Sequence, residues 1–133
     1  MTGIGIHYAS DFKFGTEQED IVLPKIQNFF KREICKSEGR YAKSDFYDDE
    51  YYYEMKSRTI AYQKYPTTMI TEDKFRDDKK LILLFNFTDG LYYIEYDKEK
   101  FEKYERRGFS RAGVSWNVKI HCYINISDLQ PVI

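Results

Sequence analysis

Ser44-Asp45-Phe46-Tyr47-Asp48-Asp49-Glu50-Tyr51-Tyr52-Tyr53-Glu54-Met55-Lys56-Ser57-Arg58 is the stretch whose reading decides the fold. It predicts a strand, a tight acidic turn and a returning strand, within a hairpin over residues 40–47 and 51–60. Side chains alternate across a strand, so Glu54, Lys56 and Arg58 share one face and Tyr53, Met55 and Ser57 the other. A turn centred between Asp49 and Glu50 places Asp45 opposite Glu54 for any even loop length. Two facing carboxylates about 5 Å apart repel, and a fold that keeps them needs a cation between them. A divalent metal answers that need. Asp45, Glu54 and the backbone carbonyl of Met55 would offer it oxygen ligands, leaving positions for water and a phosphate oxygen. The metal expected is Mg²⁺ or Mn²⁺. Lys56 would then orient or deprotonate the attacking water.

An acidic residue two positions before a lysine is common. The chain has three more cases, Asp11 with Lys13, Glu72 with Lys74 and Asp77 with Lys79. Only Glu54 and Lys56 lie in a β-rich run with an acidic residue nine positions upstream on a predicted partner strand. The competing reading is a solvated hairpin face held by cross-strand ion pairs. Asp48 and Asp49 stand as alternatives to Asp45.

Working outward, Val22, Leu23, Ile26, Phe29, Phe30 and Ile34 recur at helical spacing. Thr16 reads as a cap, residues 1–13 as an arm or edge strand, and Pro24 as a kink or the true start of the helix. Leu81–Phe87 is a nearly continuous apolar run, as in a strand covered on both faces, and Thr88-Asp89-Gly90 turns into a return strand over Leu91–Tyr96. Residues 71–78 read as a short helix and 98–107 as a charged one. Residues 114–124 alternate throughout, with Cys122 on the core face, and Ser127 would cap a last turn. The expected architecture is one α/β domain, a mixed sheet flanked by helices.

With 133 residues the chain suits one domain with a real core. No apolar run is long enough for a bilayer and no signal-peptide pattern is present, so a soluble intracellular protein with no membrane partner is expected. Two cysteines, Cys35 and Cys122, exclude a disulfide framework. Twenty-one basic residues against 22 acidic give a net charge of −1, so DNA binding would need a local patch. Thirteen Tyr and ten Phe fit strand surfaces and core before base stacking. His7 and His121 lack a second ligand at metal spacing, and no Gly-rich phosphate loop or serine or cysteine nucleophile motif is present.

Asp45, Glu54-Met55-Lys56 and the preceding amphipathic helix together resemble the PD-(D/E)xK nuclease superfamily, with its restriction-endonuclease-like fold. Compact phage and viral members, including junction-resolving endonucleases, are similar in size. The resemblance covers residues 15–126, and Ser44 stands where the motif's name has proline. It implies a metal-dependent DNA endonuclease acting on branched or junction DNA, working as a homodimer when two strands are cut. The alternative is a catalytically silent binding domain of the same fold. The superfamily often adds an acidic residue from the first helix. Glu19 is the choice, three, four and seven residues before Val22, Leu23 and Ile26, although Thr16-Glu17-Gln18-Glu19 also reads as a capping box. DNA contacts are assigned to Arg58, Lys74, Arg106, Arg107 and Arg111. For Arg106, Arg107 and Arg111 the rival reading is a cationic helix end.

Overall fold

The computed structural model describes residues 3–39, 42–109 and 118–133. Helix α1 (Gly3–Phe30) leads into short strands β1 (Cys35–Lys36) and β2 (Phe46–Tyr47), and then β3 (Tyr51–Ser57). Strand β4 (Thr67–Thr71) ends in a 3-10 turn, Glu72–Lys74, ahead of β5 (Lys80–Phe87) and β6 (Gly90–Glu95). A one-turn helix α2 (Lys98–Phe101), β7 (Glu105–Phe109), β8 (Lys119–Asn125), a 3-10 turn Ile126–Asp128 and β9 (Gln130–Pro131) complete the described chain.

The larger sheet has the order β1-β2-β3-β5-β6-β9 and the smaller one β4-β8-β7. β3 and β5 are parallel, whereas the other pairings are antiparallel, so this is an α+β domain with a mixed sheet. Helix α1 covers one face of the larger sheet: Val22 and Ile26 pack with Phe46, Tyr53, Met55, Ile82 and Leu84. The other face meets the smaller sheet, where Leu83, Phe85 and Phe101 pack with Ile70, Cys122 and Ile124. The second flank is therefore mainly a sheet, against the expectation of helices on both sides. β5 is buried on both faces as its apolar run requires, its return strand β6 follows the Asp-Gly turn, and Cys122 is core.

Several expectations about the helices are corrected. Residues 3–13 extend α1 where an arm or edge strand was expected, so Thr16 lies inside the helix and caps nothing. The helix also runs through Pro24, which is exposed, while Val22 and Ile26 on either side are fully buried. Each buried aliphatic side chain contributes about 1.5–3 kcal/mol, so this face offsets the roughly 3 kcal/mol that an interior proline costs. The helix over 98–107 shrinks to α2, because residues 105–109 pair with β8. The helix expected over 71–78 is only the 3-10 turn. α1 ends in a left-handed Lys31 (φ 56°), with the Arg32 amide donating back to the Gln27 carbonyl at 3.3 Å, a Schellman closure without glycine.

Candidate active site

The register of the hairpin, Phe46 opposite Tyr53 and Tyr47 opposite Tyr52, carries one step further to Asp45 beside Glu54. β2 begins at Phe46, and there the Asp45 side chain takes over from the ladder: its Oδ2 accepts the Met55 amide at 2.8 Å. In a strand the N–H and C=O of one residue point to the same edge, so the Met55 carbonyl is directed to the side where Asp45 sits. Tyr53 and Met55 belong to the core under α1, and Tyr52 to the core under the smaller sheet. Glu54 and Lys56 alternate with Tyr53 and Met55, and so face the smaller sheet.

Two carboxylates and two ammonium groups meet there. Glu54 is nearly buried, its side chain 9% exposed, and its Oε1 lies 3.5 Å from Lys74 Nζ. Burial first, and then the charge of Asp45, raises the Glu54 carboxyl above its ordinary range, with Lys74 and Lys56 opposing. Asp45 is raised by burial too, against the Met55 amide bond and the charges of Lys56 and Lys74. Burial depresses Lys56, as does the neighbouring Lys74, while Glu54 and Asp45 favour its charge. Each group is thus pulled toward neutrality by its surroundings and toward charge by its partners. Sites that carry out proton transfer or hold metal are built in this way.

Glu19 reaches the same cluster from α1. It sits one turn before Val22, half-buried, with Lys36 Nζ at 3.9 Å from its Oε1. Burial and then the charge of Asp45 push its carboxyl up to about 7, with Asp20 and Glu54 contributing and Lys36 opposing. Because Thr16 is mid-helix, the capping-box reading of Glu19 no longer stands. Among the described residues, no three His, Cys, Asp or Glu side chains converge closely enough to hold a metal ion by themselves. The donor set is two carboxylates and a carbonyl, with Glu19 within electrostatic reach. It suits Mg²⁺, which usually keeps several waters and takes one or two carboxylates plus substrate phosphate.

The acidic turn sorts itself by partner. Asp48 is committed to structure: Arg32 Nε is 2.6 Å from its Oδ2, the Tyr53 hydroxyl donates to it at 2.6 Å, and the amides of Glu50 and Tyr51 donate to Oδ1. Burial works to raise its carboxyl, but these bonds prevail and lower it to about 2. Asp49 is exposed. Asp45 is left as the ligand candidate of the three. Asp48→Ala is expected to cost about 3 kcal/mol, because it leaves the buried Tyr53 hydroxyl and the amides of Glu50 and Tyr51 without their acceptor, and urea unfolding would measure this.

The basic residues fall into different places. Arg58 is part-buried, its Nη2 donating to the Met69 carbonyl of β4 and its guanidinium 6.0 Å from the Phe85 ring. It also lines a cleft of about 510 Å³ with Gln18, Lys25, Asn86 and Thr88. Asn86 was missed by sequence reasoning. It opposes Ser57 across the parallel pair and its Nδ2 donates to Gln18 Oε1 at 2.8 Å, its signal being the one polar residue inside the apolar run of β5. Lys74, assigned as a DNA contact, lies against Glu54. Arg106 and Arg107 stand on strand β7 and not at a helix end, and they point to opposite faces. Arg106 donates to Glu72 Oε2 at 2.6 Å and to the carbonyls of Phe101 and Tyr104, so its donors serve the fold. Arg107 lies over the Tyr123 ring and pairs with Glu105 at 3.0 Å. Arg111 lies outside the described residues.

Among the described residues, no helix is long and apolar enough to cross a membrane. No protein-family model, no curated protein and no solved structure matches this chain, so the functional reading rests on the site itself.

Proposed function

We propose that this chain is a Mg²⁺- or Mn²⁺-dependent DNA endonuclease of the PD-(D/E)xK, restriction-endonuclease-like kind, with Asp45, Glu54 and Lys56 at its centre. The carrying observation is the hairpin register, which brings Asp45 to Glu54 with Lys56 two residues on along the same face. The helix over one face of a mixed sheet and the parallel β3–β5 pair agree with that fold, although a sheet covers the second face.

Asp45, Glu54 and the Met55 carbonyl would hold the metal, with Glu19 reaching it through water. A divalent cation bound there would supply Lewis acidity and a more acidic water. Lys56, depressed by burial, is suited to take or steer the proton of the attacking water at Nζ. When charged, it offsets charge on the phosphorane-like transition state. Hydrolysis then leaves a 5′-phosphate and a 3′-hydroxyl. Branched or junction DNA is the substrate proposed, in keeping with the resemblance to compact junction-resolving endonucleases, and cutting both strands would take a homodimer.

The Glu54–Lys74 ion pair favours a second reading, a silent nucleic-acid-binding domain whose carboxylates are neutralised from within. Labelled linear, flapped and four-way-junction DNA, incubated with Mg²⁺, Mn²⁺ or EDTA, separates the two. Metal-dependent cutting by wild type that is lost in Lys56→Ala is the expected result. Intact substrates under every condition, with folded protein, would move the assignment to the binding domain.

A further inference from the structure

The 3-10 turn Glu72–Lys74 is held from both sides. Arg106 of β7 fixes Glu72 at 2.6 Å, and Lys119 of β8 lies 3.4 Å from Asp73. The side chain of Asp73 also bonds to Thr71. The turn's two carboxylates are thereby tied to the smaller sheet, and its ammonium group is delivered across the gap to Glu54 of the larger sheet, 3.5 Å away. Lys74 is 39% exposed at its side chain and Glu54 9%, so the lysine has a route out to solvent that the carboxylate lacks.

Resting on the nuclease reading above, we propose that Lys74 is the resident counter-ion of the carboxylate site. It neutralises Glu54 when metal is absent, is displaced by the entering divalent cation, and is thereby released to bind a phosphate of the substrate strand. Three features support this. Asp45 and Glu54 face each other, so a metal-free site requires a cation, and the pair in place is made by Lys74 and not by Lys56. The turn is anchored by its two acidic residues, so the lysine can swing while its backbone stays fixed. A lysine is a flexible point charge suited to trading one oxyanion for another. Metal binding is then an exchange of cations at Glu54, and the DNA-binding surface gains a positive charge only once the metal is in.

Lys74→Met tests this in the full-length chain at pH 8. In EDTA the variant should melt lower than wild type. Calorimetric titration with Mn²⁺ should show binding about ten-fold tighter, because no ammonium competes for Glu54. In a Lys56→Met background, which prevents turnover, the slope of log Kd against log salt for a duplex should fall by about one on adding Lys74→Met with Mn²⁺ present. In EDTA that slope should not change. Unchanged or weaker Mn²⁺ binding by Lys74→Met, with wild type binding normally, overturns the exchange and leaves the nuclease reading intact. A salt slope that falls equally with and without Mn²⁺ shows that Lys74 was never tied up, and overturns it as well. Absence of Mn²⁺ binding by both proteins overturns this proposal and the metal site together.

Discussion

Asp45→Asn is expected to lower metal-dependent cleavage by about 10³-fold and at the same time to raise the melting temperature of the metal-free protein at pH 8 by roughly 3 °C. The two effects share a cause. Burial disfavours the charge of Asp45, and ionised Asp45 in turn disfavours charge on Glu54 and Glu19. The amide of Asn keeps an acceptor for the Met55 N–H, which the carboxylate now bonds at 2.8 Å, so the hairpin loses no hydrogen bond. What goes is one buried charge and the ligand it provides. Three residues along the same turn, Asp48→Ala should do the reverse: stability falls by about 3 kcal/mol, while cleavage by the fraction still folded is retained. Thermal melts in EDTA beside single-turnover cleavage would measure both. An Asp45→Asn protein that melts lower than wild type would mean that the carboxylate serves the fold, and the site would have to be redrawn.

The contrast between these two aspartates marks how far the sequence could be read. Alternation through Tyr51–Arg58 and the even acidic turn were enough to set Asp45 against Glu54, because register in a hairpin is a local property. The same acidic residues gave no way to rank Asp45 against Asp48. What decides it is Arg32, sixteen residues upstream and brought to Asp48 by the turn after α1. β5 was legible, since an apolar run buried on both faces has few other homes. β7 was not, because Glu105, Arg106 and Arg107 suit a charged helix by composition and become strand only through pairing with β8. Likewise Lys74 looks like any acidic-x-lysine repeat along the chain. Its meaning comes from the smaller sheet packing against the larger, which brings the 3-10 turn to Glu54.

The second large effect is on pH dependence, and Glu19 sets its sign. Its carboxyl titrates near the ordinary 4.5 in the unfolded chain and at about 7 in the folded one. Below pH 4.5 both states hold the proton and the full contribution to stability is present. Between 4.5 and 7 only the unfolded state gives the proton up, so stability falls as pH rises, and above 7 the loss is complete. Glu19 is part exposed, so solvent screening reduces the loss to about 1–2 kcal/mol. Asp48 acts in the opposite direction, its carboxyl lowered from 3.8 to about 2, so its contribution holds above pH 4 and fades as pH falls toward 2. Metal-free wild type should therefore be most stable near pH 4–5, with Glu19→Gln making the decline toward pH 8 shallower, the raised carboxyls of Asp45 and Glu54 supplying what is left of it, and the acid limb staying in place. Mn²⁺ must displace the same proton, so its affinity should climb as pH passes 7 in wild type and lose that step in Glu19→Gln. Urea unfolding in EDTA from pH 4 to 8, repeated with Mn²⁺, checks both. Identical slopes for wild type and Glu19→Gln would place Glu19 outside the cluster, and the site would then consist of the hairpin alone.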